Sequence, residues 1–285
     1  MSAIELSVIV LAWDQLHLTQ ACVESIRKNT VVPYELIVVD NGSAPEAAAY
    51  AAEVADIAIL NPSNAGFAAG MNQGLGRASG QNVAFVNNDT KVPPGWAGRL
   101  LSNFSTPNVG LVVPAVTAAG NPVTVRTTPG HRVITLPPFG ELPSGVVYVM
   151  RANLIRELGG WNETYPVASA EDLDLIFTVW TNDLDIVLDE RVLVEHVSRG
   201  TVKVKLPDRE QLYRDNLNRF LDRWTGNDEI VRIADCAPTA HAHNRKAGRA
   251  AALWLQRLID ERATSRQLRS ELAELTLAKK GRFRR

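Results

Sequence analysis

Carboxylates and amides recur in this chain directly after short apolar runs. Val83-Ala84-Phe85-Val86 passes at once into Asn87-Asn88-Asp89-Thr90. One carboxylate beside Asn88 and Asn87 offers hard oxygen ligands of the kind Mg²⁺ or Mn²⁺ takes, and those metals pair with phosphates. Leu36-Ile37-Val38-Val39 ends in the same way at Asp40-Asn41-Gly42-Ser43. A carboxylate such as Asp40 can accept from a ribose hydroxyl or from an imide N–H, as in uracil or thymine. Asp14 follows the first apolar run and Asn61 the third. Taken singly, each is as well explained by a turn or a helix N-cap. Four on neighbouring strand ends make a polar rim suited to a nucleotide.

These positions need a scaffold, and the apolar pattern supplies one. Residues 4–11, 36–39, 57–60 and 83–86 read as buried strands, and the segments between them carry helical patterns around Cys22-Val23-Ile26, in 45–54 and within 61–80. Strands alternating with helices predict βαβ units, a mainly parallel sheet flanked by helices, and hence an α/β fold. Open sheets of this kind take ligands beyond the carboxyl ends of their strands. Neither a Walker lysine motif nor GxGxxG follows the first strand, so P-loop and classical dinucleotide readings lack their phosphate device.

Beyond residue 114 the pattern loosens. Residues 117–143, rich in Pro, Gly and Thr, read as hairpin or loop, with His131 solvated there. Val146 to Met150 reads as a strand, Arg151 to Leu158 as a short helix stopped by Gly159-Gly160. Trp161 fits a core position and a sugar-stacking position equally. Leu173, Ile176, Phe177 and Trp180 share one helical face, with Glu171 and Asp172 in the first turn. Ser169-Ala170-Glu171-Asp172 also has capping-box spacing, which would make Asp172 a structural residue. Ile186-Val187-Leu188 and Val192-Leu193-Val194 read as two short strands, the second reaching Glu195-His196. From residue 207 the chain turns helical, with Leu212, Leu217, Phe220, Leu221 and Trp224 as an apolar stripe. His241 and His243 fall on different helix faces and make no ligand pair. Leu255, Leu258, Leu268, Leu272 and Leu275 form a weak heptad-like seam that allows a docked helix or a homodimer. The organisation expected is a nucleotide-binding half over 1–115, a second half of the same domain over 116–206, and a helical extension over 207–285.

With 285 residues, 46% of them hydrophobic, the chain can bury a full core. Two cysteines, Cys22 and Cys236, argue against a disulfide framework and suit a reducing compartment. No signal-peptide pattern or membrane-length apolar run appears, which predicts a cytoplasmic protein without a transmembrane segment. The net charge of −1 conceals an asymmetry. His241 to Arg285 carries twelve Lys/Arg against four Asp/Glu, a net of +8, leaving −9 on residues 1–240. Such a tail invites an anionic acceptor, a membrane surface that would make the protein peripheral, or its own acidic body.

An ordered set of motifs then narrows the class. Asp40-Asn41-Gly42-Ser43, Asn64-Ala65-Gly66-Phe67-Ala68-Ala69-Gly70-Met71-Asn72-Gln73-Gly74 and Asn87-Asn88-Asp89-Thr90 resemble the family-2 glycosyltransferases of the GT-A fold. Ser144-Gly145 to Arg151, Gly159-Gly160-Trp161-Asn162-Glu163 and Glu171-Asp172-Leu173-Asp174-Leu175 match the same family in the same order, over roughly residues 4 to 200. The Gly-Phe-Ala-Ala-Gly variant resembles members that use dTDP-rhamnose or UDP-galactofuranose. Two departures stand out: the usual DxD pair is Asn87-Asn88-Asp89, and the arginine often found before Asn72 is Met71.

The resemblance implies an inverting, metal-dependent transfer of a sugar from a UDP- or dTDP-sugar to an acceptor hydroxyl. Asp14, Asp40, Asn64, Gly66, Asn72 and Asn88 would hold the donor, and Arg199, in a basic loop, would replace the missing arginine at the diphosphate. Asp89 and His196 would bind Mn²⁺ or Mg²⁺. Asp172 would be the base, with Glu171 its rival. The acceptor could be a glycan, a lipid-linked glycan, a protein or modified nucleic acid. A sugar-phosphate nucleotidyltransferase would need a Gly- and Lys/Arg-rich loop after the first strand, where Ala12-Trp13-Asp14-Gln15 stands. A non-catalytic nucleotide-sugar-binding module is favoured by Asn87-Asn88 alone.

Overall fold

The computed structural model describes residues 3–117, 125–136, 143, 145–197 and 209–224. The chain divides into two compact units, Met1–Pro137 with Glu141–Phe220 and Pro138–Gly140 with Leu221–Arg285. Of the second, the described part is the last turn of one helix.

The first half of the main unit runs β1 (Leu6–Ala12), α1 (Leu16–Asn29), β2 (Tyr34–Asp40), α2 (Pro45–Val54), β3 (Ile57–Leu60), α3 (Phe67–Arg77) and β4 (Asn82–Asn87). These strands pair in parallel in the order β3-β2-β1-β4. Val8, Ile9, Val10, Ile37, Val38, Val83 and Val86 are fully buried. That is why their sequence reads as unbroken apolar runs: the sheet is covered on both faces. Each large side chain so buried contributes about 1.5–3 kcal/mol. α3 lies unusually close to β1, because a side chain at Gly70 or Gly74 would overlap Leu11 or Ile9. This close approach brings the start of α3 to the carboxyl ends of β1 and β2.

The second half adds β5 (Thr90–Lys91), α4 (Trp96–Ser102), β6 (Val109–Val116), β7 (Val133–Leu136), β8 (Val147–Arg151), α5 (Ala152–Glu157), α6 (Glu171–Thr181), β9 (Asp185–His196) and α7 (Arg209–Trp224). The sheet continues β4-β8-β6-β9-β5, with β7 also on β9. β8 runs against both β4 and β6, whereas β6 and β9 are parallel. The expected α/β sheet flanked by helices is therefore present, parallel in its first half and mixed in its second.

Two local expectations change. The two short strands read around residues 186–194 are one twelve-residue strand, β9. Asp189-Glu190-Arg191 looks like a polar break, yet Asp189 and Glu190 are buried within the strand. Arg191 and Asn103 neutralise and bind Asp189, and Arg126 and Arg132 do the same for Glu190. The register against β6 shifts there, between Pro114 and Ala115, which absorbs the charged stretch as a bulge. Within the segment read as hairpin or loop, Val133–Leu136 forms a strand antiparallel to β9, and His131 is exposed.

Candidate active site

A solvent-open cleft with an empty volume of about 610 Å³ lies at the carboxyl ends of β1, β2 and β4. Leu11, Trp13, Phe67, Val167 and Ala168 give it apolar lining, and Asn41, Asn64, Asn87, Asn88 and Asp89 polar lining. A flat apolar surface next to amides and one carboxylate suits a nucleobase joined to a charged tail. Trp13 is the aromatic of this lining that sequence reasoning missed. Its signal was its place one residue past a buried strand.

Asn41 organises the β2 side. Its Nδ2 donates to Asn64 Oδ1 (2.8 Å) and to the Gly66 carbonyl (3.1 Å). Its Oδ1 accepts from Asn61 Nδ2 and from the Ala65 N–H. One buried amide thus fastens the loop before α3 at four points. Asn64 Oδ1 also accepts from the Gly66 N–H (2.7 Å). Gly66 has φ +95° and lies against the Val167 backbone, so a side chain there would meet both strain and a neighbour. Asp40 is buried and not among the lining residues, with Oδ2 taking the Ser43 N–H at 3.2 Å and Oδ1 without a partner among the described residues. A buried carboxylate oxygen left unpaired is costly unless a ligand donor reaches it. Asp14, in the left-handed region, accepts from the Ala44 N–H and donates its own N–H to Ser43 Oγ. It braces the loop after β2 and is not among the lining residues.

At the end of β4, Asn88 is held by Thr19 Oγ1 (3.0 Å). Asp89 and His196 meet because β5 and β9 pair Thr90 opposite His196. His196 Nε2 lies 3.4 Å from Asp89 Oδ2. Among the described residues no three His, Cys, Asp or Glu side chains converge as a ligand set. One carboxylate and one imidazole nevertheless fit Mg²⁺ or Mn²⁺, which commonly takes few protein ligands and completes its shell with phosphate oxygens and water.

The start of α6 completes the site. Asn87 Nδ2 donates to the Gly145 carbonyl (3.0 Å), and a Cβ placed on Gly145 would lie 2.8 Å from Asp172 Oδ2. Gly145 therefore joins the strand end carrying Asn87 to the helix start carrying Asp172. The capping box does not form: α6 begins at Glu171 after a left-handed Ala170, without a side-chain cap, and Asp172 Oδ1 accepts from the Leu173 N–H. Burial, and then the charge of Asp172, push the Glu171 carboxyl up to about 8. Burial also raises Asp172, against the stabilising Leu173 N–H. Glu171 Oε2 and Tyr148 Oη are buried without partners among the described residues, and burial with the two carboxyls drives the Tyr148 phenol well above its usual range.

Other expected site residues serve as supports. Asn72 does not line the cleft: its Nδ2 donates to the Trp161 carbonyl and Glu163 Oε1, and its Oδ1 accepts the Trp161 N–H. It clamps α3 to the loop after α5. Trp161 is 2% exposed, edge-on to Phe67 and Phe85 and stacked on Tyr148, so it is core under the cleft. Asp174, whose motif neighbours are Glu171 and Asp172, accepts from Tyr165 Oη and Asn162 Nδ2. Arg199, the basic loop around it and everything from residue 225 lie outside the described residues. No helix among the described residues is long and apolar enough to cross a membrane.

Over 183 residues the chain is 32% identical to a pre-mycofactocin glycosyltransferase of Mycobacterium tuberculosis, covering 59% of this chain and 38% of that protein. The chain thus spans well under half the length of that curated relative. Its fold is similar to GalNAc-T7 solved with UDP, GalNAc and Mn²⁺ (TM-score 0.60, 14% identity, 78% of this chain and 49% of that one). It is also similar to residues 1–349 of S. aureus TarS (TM-score 0.54, 16% identity, 87% and 79%). The family model for glycosyl transferase family 2 matches residues 7–153, from β1 through the strands that build the cleft, and the chain belongs to that family.

Proposed function

We propose that this protein is an inverting glycosyltransferase that moves a sugar from a UDP- or dTDP-sugar to an acceptor hydroxyl. The observation that carries the reading is the chain of contacts Asn87–Gly145–Asp172, which sets one carboxylate beside the cleft's strand end. Trp13 and Phe67 would cover the nucleobase, and Asp40, buried behind the lining with Oδ1 unpaired, is the proposed acceptor for its imide N–H. Asn64 and Gly66 shape the loop beneath the donor, with Asn72 holding that loop's helix from behind. Asn88 and Asp89 lie where the diphosphate would follow, and Arg199 remains the proposed further contact to it. Asp89 and His196 would hold Mn²⁺ or Mg²⁺, which when bound offsets charge on the leaving diphosphate.

Two neighbouring carboxyls stand here, both raised by burial, Glu171 to about 8. Glu171, held protonated at neutral pH by its burial, cannot accept another proton. Asp172 is the group left to deprotonate the acceptor hydroxyl for in-line attack at the anomeric carbon. A single displacement of this kind inverts that centre. A screen of nucleotide sugars for acceptor-stimulated release of nucleoside diphosphate tests the reading, with inversion read by NMR of the product. Release from no donor in any acceptor mixture would remove it.

A further inference from the structure

The wall of the cleft formed by Val167 and Ala168 is an improbable piece of backbone. Val167, Ser169 and Ala170 have φ of 65°, 90° and 73°, all in the left-handed region that non-glycine residues avoid. Backbone of this kind persists only where its surroundings hold it. The same four residues lead directly into Glu171 and Asp172.

Two fastenings are present. The Phe67 N–H, at the start of α3, donates to the Val167 carbonyl at 2.7 Å. From the opposite direction, Asn216 Nδ2 on α7 donates to the Pro166 carbonyl (3.1 Å) and the Ala168 carbonyl (2.9 Å). Asn216 is 0% exposed, and its Oδ1 is occupied by Arg219 Nη1 at 2.9 Å. One turn later Phe220, also fully buried, packs edge-on to Phe177 of α6 with ring centroids 4.9 Å apart. Asn216 therefore sits on the buried face of α7, where an apolar residue would serve packing better. A donor with two N–H groups suits a loop whose alternate carbonyls, of Pro166 and Ala168, face the helix.

We infer that Asn216 is a positioning residue for the transfer reaction: it holds the Pro166–Ala170 loop so that Val167 and Ala168 wall the donor cleft and Asp172 meets the acceptor. The inference rests on the donor-cleft reading above. It makes α7, outside the residues matched by the family model, a working part of the site.

The test uses full-length Asn216→Ala and Asn216→Asp, with Phe220→Leu as a control that loosens α7 without touching the loop. Asp keeps the shape but sets a carboxylate oxygen against the Pro166 and Ala168 carbonyls, so both bonds are lost and the loop is repelled, while Ala loses the bonds without adding charge. Hydrogen exchange should quicken at the Phe67 and Ala168 amides and at the start of α6 in both Asn216 variants, and not in Phe220→Leu. UDP, titrated with Mn²⁺, should bind about tenfold more weakly in Asn216→Ala, and kcat should fall by a further factor of about ten or more, as small misplacements do. At matched loss of Tm, Phe220→Leu should stay within about twofold of wild type in both, its contacts lying outside the reacting geometry. Unchanged exchange at those amides overturns the proposal. So does quickened exchange with UDP affinity and turnover equal to those of Phe220→Leu. If wild-type protein releases nucleotide from no donor, the glycosyltransferase reading falls instead, while exchange and UDP binding still decide whether Asn216 holds the loop.

Discussion

Asp172 occupies the space into which a side chain at Gly145 would grow: its Oδ2 lies 2.8 Å from a Cβ built there. A methyl group at Gly145 would push the Asp172 carboxylate aside and would also press on its Cβ, 3.3 Å away, so the start of α6 must give by a few tenths of an ångström. Gly145→Ala should therefore cost only a few °C in Tm, because the main clash is with the end of one side chain. It should lower kcat by about 10²-fold with donor KM little changed, since reacting groups lose rate steeply with misplacement. Thermal melting and initial-rate kinetics on one preparation separate the two effects, and full turnover would detach Asp172 from the chemistry.

Asp172→Asn keeps the shape of the side chain and removes its capacity to take a proton. We expect kcat to fall roughly 10²-fold or more with nucleotide affinity unchanged. Glu171→Gln replaces a group that is already neutral at pH 7, so turnover there should stay within about fivefold of wild type. The reverse ranking of the two variants would make Glu171 the base.

The raised Glu171 carboxyl also predicts how stability depends on pH. Its pKa stands near 8 in the folded protein against 4.5 ordinarily, so between those values the folded state holds a proton that the unfolded state has lost. Its contribution is fully present below the unfolded value and is lost as pH rises through the folded one. Within that window the slope is about −1.4 kcal/mol per pH unit from this group. Denaturant titrations of wild type and Glu171→Gln at pH 5.5, 7 and 8.5 should diverge accordingly, the variant gaining relative stability as pH rises. Parallel curves would show that the buried carboxyl titrates normally.

If Asp89 and His196 are the metal's ligands among the described residues, as proposed, metal should bind weakly to the free protein and more tightly with nucleoside diphosphate present. EDTA should abolish transfer and Mn²⁺ or Mg²⁺ restore it. Asp89→Ala should lose at least 10²-fold in kcat while remaining folded, the scale on which loss of charge stabilisation at a leaving group is felt. Undiminished activity in EDTA would remove both residues from a metal role.

The first half of the sheet was legible in the sequence because β1, β2 and β4 are covered on both faces. Burial on both sides demands an apolar residue at nearly every position, and the chain must turn polar where it leaves the sheet. Asp40, Asn41 and Asp89 could be found on that basis. Sequence order alone also carried the family's motifs. What each polar residue does was a different matter. Asn41 and Asn72 look alike in a motif, yet one rims the cleft and the other clamps a loop from behind. Asp172 stands both at capping-box spacing and in the family's motif, and it is the left-handed Ala170 that keeps it from closing the cap. Asp189 and Glu190 read as a gap between strands until Arg126, Arg132 and Arg191 are seen to neutralise them within one. These roles depend on partners up to about ninety residues away in sequence, as from Asn72 to Trp161 and Glu163. A local pattern fixes whether a side chain is buried. Only the tertiary structure decides what it is buried against, and for a polar group that partner determines its chemistry.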